Sequence, residues 1–143
     1  MSFIRQDEIR PDDRYYWVTQ NPDGSYTGVP KELEDREEVD QDGNPMYVQV
    51  YDEATQSMVN STERLITKGL KSNHIAQVKH NTNMTLAPTD WYVIRKAERN
   101  VDIPAEVAAY RAAVVAWADA TEAAILAVTT VEELKAINLG VSV

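Results

Sequence analysis

Apolar and polar residues along the chain follow two rhythms, and the change between them falls near residue 60. In the first half the rhythm is alternation: Tyr15, Trp17 and Thr19 alternate with Tyr16 and Val18, and the turn-rich "NPDG" leads on to Tyr26 and Val29. Two β-prone runs around Pro-Asp-Gly predict a hairpin, because Pro22 presets its backbone torsion and Gly24 accepts a positive φ. A second alternating run, Tyr47, Gln49 and Tyr51 against Val48 and Val50, predicts another hairpin, with "DEATQS" turning the chain toward Met58 and Val59. Between the two lies the charged connection "KELEDREEVDQDGN", which ends in an Asp-Gly turn.

Beyond residue 60 the spacing becomes helical. Ser61 or Thr62 is placed to cap a short helix through Leu65, Ile66 and Leu70, weakened by Gly69. Ile75, Val78 and then Met84 or Leu86 give a weaker stripe, interrupted by the polar run "HNTN". Thr89 or Asp90 is a candidate N-cap for a helix opened by Trp91, "WYVIRKAE". Pro104 starts the strongest signal, an Ala-rich helix of about 25 residues. Its apolar positions Val107, Tyr110, Val114, Trp117, Thr121, Ala124 and Val128 step alternately by three and four, a heptad-like seam. Thr130 and Glu133 then form a capping box for a short last helix reaching Ile137. The seam predicts that the long helix folds back on the helix opened by Trp91, or that residues 104–128 pair copies into a homo-oligomer.

These elements predict an α+β protein: an acidic β-hairpin unit over residues 1–60, then a helical unit over 61–143 forming a helical hairpin or small bundle around one long Ala-rich helix. At 143 residues the chain has room for one ordinary domain, and alanine-rich burial predicts a thin core. The net charge of −9 is uneven: residues 1–60 hold 14 acidic and 5 basic side chains, whereas residues 61–143 hold 9 of each. An acidic half argues against nucleic-acid binding, which needs clustered cations, and leaves solubility or an acidic docking face for a basic partner. The absence of cysteine removes disulfides, thiolate chemistry and cysteine-based zinc sites. The first twenty residues are charged throughout and do not resemble a signal peptide, and no window approaches a membrane span, so a soluble chain is expected.

Candidate chemistry is sparse. His74 and His80 lie six apart, on different helix faces, and make a poor metal pair. "DQDGN" has alternating oxygen donors at Asp40, Asp42 and Asn44, but lacks the glycine placement and closing glutamate of a calcium loop. The carboxylates Glu32, Glu34, Asp35, Glu37 and Glu38 have no apolar neighbours to raise a pKa, so they read as solvated surface. No phosphate loop, nucleophile elbow or Ser-His-Asp arrangement is present, so neither an enzyme nor a cofactor is expected. Binding residues remain: Trp91, Tyr92, Arg95, Lys96, Arg99, Tyr110, Arg111 and Trp117, with Trp17 in the first half, are the types that dominate interfaces. Trp91 and Tyr92 point about 100° apart around a helix axis, so both cannot bury against one surface. The expectation is that Trp91 and Trp117 are core, while Tyr92, Arg95, Lys96 and Arg99 form an exposed basic, aromatic edge for an acidic partner or the acidic half of a second copy.

Leu86, Ala87, Thr89, Asp90 and Trp91, followed by Pro104, Ala109, Tyr110, Arg111 and Ala113, resemble the C-terminal region of the tail assembly chaperones of tailed bacteriophages, a group that includes tail fibre assembly chaperones. The resemblance covers residues 75–115. It implies a non-enzymatic protein of the host cell cytoplasm during assembly, which binds a phage tail-fibre or tail protein, at its C-terminal tip, and assists its folding or trimerisation. It also implies that Thr89 and Asp90 cap a helix, that Trp91 and Tyr110 pack two helices together, and that Arg111 pairs with Asp90 or reaches the client. "VKHNTN" stands where a more arginine-rich helix belongs, and the Ala-rich helix runs well past Tyr-Arg. Both departures leave open a structural virion component retained in the tail.

Overall fold

The computed structural model describes residues 9–143, so residues 1–8 of the charged opening segment lie outside the described residues. The protein is α+β, with antiparallel hairpins followed by helices. Strands β1 (Tyr16–Gln20) and β2 (Tyr26–Pro30) form the first hairpin, in which Gly24 takes the positive φ of 88° that its turn requires. Strands β4 (Tyr47–Asp52) and β5 (Ser57–Arg64) form the second, with Gln49 opposite Asn60 and Tyr51 opposite Met58. The short strands β3 (Arg36–Glu37) and β6 (Ile66–Thr67) pair at its base.

The helices are α1 (Leu70–Leu86), α2 (Asp90–Arg99), α3 (Ala105–Ala127) and α4 (Val131–Lys135), with a single 3₁₀ turn, Ala87–Thr89, joining α1 to α2. Two local expectations fail. Ser61 and Thr62 cap nothing, because β5 runs through residue 60 and on to Arg64, where cross-strand pairing outweighs their capping preference. The "HNTN" run interrupts nothing either, since α1 continues through it to Leu86.

The pairing of helices also differs from the expectation. The long helix α3 packs along α1, and α2 has no buried residue. Its packed seam is Val114, Ala118, Thr121, Ile125 and Val128, with Arg111 half-buried at its start, so it departs from the expected register at Tyr110, Trp117 and Ala124. Leu70 and Val78 from α1 and Val131 and Leu134 from α4 complete one cluster with Ala118, Ile125 and Val128. Thr130 caps α4 as read, accepting from the Glu133 amide, while the Glu133 carboxylate reaches back one residue past the cap, to the Thr129 amide.

The first hairpin is tied to this bundle. Tyr15, Tyr16 and Leu33 pack on the cluster, the Tyr16 hydroxyl donates to Glu132, and the Lys135 ammonium lies 5.6 Å and 5.4 Å from the Tyr15 and Tyr16 ring centres. Residues 32–35 cross the start of α1. The Glu32 and Leu33 carbonyls accept from the Leu70 and Lys71 amides at 3.0 Å each, and Asp35 accepts from the Gly69 amide at 2.8 Å and the Ser72 hydroxyl at 2.7 Å. The Glu32 and Leu33 carbonyls therefore satisfy the first α1 amides, which Gly69, lacking a side chain, cannot cap, and Asp35 pins the crossing beside them. The crossing is close enough that a Cβ on Gly69 would stand 2.4 Å from the Leu33 and Glu34 carbonyl oxygens.

Gly69→Ala must push this crossing off α1, and we expect a loss of about 1–3 kcal/mol in urea unfolding. Stability should also fall with pH in two windows. Burial against Tyr15 lowers the His74 pKa, so protonation favours the unfolded chain once pH drops through about 6.5. The lowered carboxyls of Asp35, Glu38 and Glu132, held down chiefly by hydrogen bonds from Ser72, Thr67 and Tyr16, remove further stability below about pH 4. His74→Gln should abolish the upper step of the melting-temperature profile and leave the lower one.

Candidate partner-binding surface

The bend between α1 and α2 is fixed by one side chain from α3. Arg111 donates to the Leu86 carbonyl at 2.9 Å and to the Thr89 hydroxyl at 2.7 Å, and its other terminal nitrogen pairs with Asp90 at 2.9 Å. Thr89 in turn donates to the Leu86 carbonyl at 3.1 Å. Of the two roles open to Arg111, pairing with Asp90 is the one present. The capping role of Thr89 is not: its side chain makes no cap bond to α2, because its hydroxyl is spent on Leu86 and Arg111.

Held this way, α2 shows its apolar side to solvent. Its two half-buried residues, Tyr92 and Arg95, lie on one side. Val93, Ile94 and Ala97 project from the opposite side, and Ile94 is 54% exposed. Trp91 flanks that face and is 50% exposed, so the expectation of a core Trp91 and an exposed Tyr92 is reversed. The tandem aromatics solve their geometric problem by stacking on one another, with ring centres 3.7 Å apart, and Arg95 lies 5.0 Å and 5.4 Å from the Trp91 and Tyr92 rings. The Arg95 Nε is shut away without a hydrogen-bond partner, its guanidinium being given over to the rings.

The remaining candidates divide. Lys96 bonds Asp102 at 2.7 Å and Asn100 at 3.1 Å, which ties down the left-handed turn at Asn100 that ends α2 and holds the Asp102 carboxyl below its usual range. Arg99 is exposed and makes no ion pair among the described residues. Tyr110 is 44% exposed and does not pack α2 on α3, correcting the helix-packing role assigned to it and Trp91. Tyr110 lies one turn before the buried Val114 on the same side of α3, but α1 has already ended at Leu86, level with Arg111. Trp117 is half-buried against the core cluster. Val93 and Ile94 were missed because an apolar pair inside a helix reads as core until its neighbours are known. Among the described residues no helix is long and apolar enough to cross a membrane, and no group of three or more His, Asp or Glu is placed to hold a metal ion.

Arg111→Ala leaves Asp90 without its partner and the Leu86 carbonyl with only its bond from Thr89, and should cost about 1–3 kcal/mol. Amide exchange should accelerate in residues 90–99 while the α1 amides near Val78 stay protected. No family model, curated protein or solved structure matches this chain.

Proposed function

We propose that the protein is a non-enzymatic assembly chaperone for a tail or tail-fibre protein of a tailed bacteriophage, working in the host cytoplasm and capturing its client on the outward side of α2. The observation that carries this reading is the orientation of α2. A ten-residue helix with Val93, Ile94 and Trp91 turned outward has an apolar side left uncovered among the described residues. The resemblance adds the kind of client. Its two motifs, Thr-Asp-Trp and Tyr-Arg, are the segments joined by the Arg111 bonds to Thr89 and Asp90, so the motif residues have a shared physical task. That task is to present α2 at a fixed angle.

Helix-in-groove recognition suits such a surface: apolar side chains spaced along one side enter a client groove. Ile94→Glu should change unfolding free energy by no more than about 0.5 kcal/mol, since the position is exposed, while weakening capture of the co-expressed fibre protein at least tenfold. Equal loss of stability and capture would make α2 a packing element. Mass spectrometry of purified particles beside the infected-cell lysate tests the chaperone reading. Peptides abundant in the lysate and missing from the particle are expected. Stoichiometric peptides in the particle would make the protein a retained adaptor of the tail.

A further inference from the structure

The β4–β5 ribbon is a second surface left unfinished by the fold. Its strands form a two-stranded sheet, and no residue between 36 and 67 belongs to the buried cluster. Both of its faces carry exposed apolar side chains: Tyr51, 60% exposed, and Met58, 57% exposed, on one, and Val50 on the other, paired with Val59. A hairpin of this size is marginal in water by itself and gains independent stability from a third strand or a covering helix. Natural proteins guard such an edge with lysine, proline or a bulge; β5, Ser57–Arg64, contains neither lysine nor proline, and its bulge lies beyond Asn60, so the stretch Ser57–Asn60 is regular.

We propose that β5 takes up an extended strand of a partner chain by edge addition, and that the strand it selects has alternating β-branched residues with basic residues at its ends. Charge chooses this occupant over a second copy of the same ribbon. The ribbon's turn carries Asp52 and Glu53, and its other end carries Glu63, while the Arg64 guanidinium is spent on Glu37 at 3.2 Å and on the Met46 and Glu38 carbonyls. Antiparallel pairing of two copies through β5 would bring Glu63 of each to the turn end of the other ribbon, the end that carries Asp52 and Glu53, like charge toward like charge. A strand with lysines at both ends meets carboxylates at both ends instead. Its backbone would satisfy the outward amides and carbonyls of β5, and its side chains would widen the Tyr51–Met58 and Val50–Val59 faces into a three-stranded sheet. This surface is separate from α2, so its failure leaves the α2 reading standing.

The test titrates the full-length protein with three synthetic nine-residue peptides sharing a Val-Thr-Val-Thr-Val centre: one with Lys-Lys at each end, one with Glu-Glu at each end, and one with Lys-Lys ends and proline at the central position. Residue-resolved amide exchange is the readout. The Lys-ended peptide should slow exchange within residues 57–64 at least about tenfold and bind at least about tenfold tighter than the Glu-ended one. The proline peptide should give no protection, because it cannot extend the ladder. A Glu53→Lys, Glu63→Lys protein should reverse the preference between the first two. Protection by the proline peptide, absence of protection at saturating Lys-ended peptide, or an unreversed preference would overturn the proposal. So would protection of β5 that grows with protein concentration alone, which would make a second copy the occupant.

Discussion

The packing of α3 on α1 is the constraint on which the other elements depend, and it works with few large apolar side chains. Val78, Val114 and Ile125 are fully buried, but much of the remaining interface is polar. Thr82 donates to the Val78 carbonyl at 2.7 Å, Thr85 to the Asn81 carbonyl at 2.8 Å and Thr121 to the Trp117 carbonyl at 2.7 Å. Each hydroxyl is satisfied within its own helix, so the threonine presents its methyl group to the neighbour and packs as a small aliphatic residue. Lys71, buried along its stem, reaches the Leu126 carbonyl in the last turn of α3 at 2.9 Å and Glu34 at 2.7 Å. A cation there also offsets the negative end of the α3 dipole.

A pair joined in this way can be extended at both ends by directional bonds. At the start of α1 the crossing of residues 32–35 attaches the first hairpin through backbone and carboxylate bonds, and the absence of a Cβ at Gly69 lets it approach. At the end of α1 Arg111 attaches α2 through the Leu86 carbonyl, Thr89 and Asp90. Hydrogen bonds fix an orientation without requiring apolar area, and this is why α2 can be positioned while Val93 and Ile94 stay outside. The second hairpin lies beyond these attachments and, among the described residues, is left with two strands.

The parts legible in the sequence were those decided by near neighbours. Pro22 and Gly24 specify their turn, alternation specifies β4, alanine specifies α3, and Thr130 with Glu133 specifies the start of α4. What sequence could not reveal was which surfaces meet. The buried side of α1 includes Lys71 and Thr82, so it carries almost no apolar periodicity, and α2, with the cleaner pattern, was the natural but mistaken choice of mate for α3. On α3 the Ala-rich composition makes adjacent registers nearly equivalent, and Ala118 and Ile125 were passed over for Trp117 and Ala124. The candidate residues of α2 were visible as a cluster. Their inside and outside were not, because that is set by Arg111, which lies 22 residues from Thr89.

The two uncovered elements follow from one economy of the fold. A chain with a small core has little apolar surface to place behind every element, so whatever is held only by polar bonds keeps its own apolar residues at the surface. In α2 those residues sit on a rigid helix beside a stacked Trp91–Tyr92–Arg95 group, which suits a preformed groove. In the β4–β5 ribbon they accompany unpaired backbone, which suits an extended chain. A folded groove and an unpaired strand are features of different stages in a partner's own folding. On the proposed reading, a protein offering both surfaces would engage a chain before its strands are paired and again after its surface has formed, without a change in its own core.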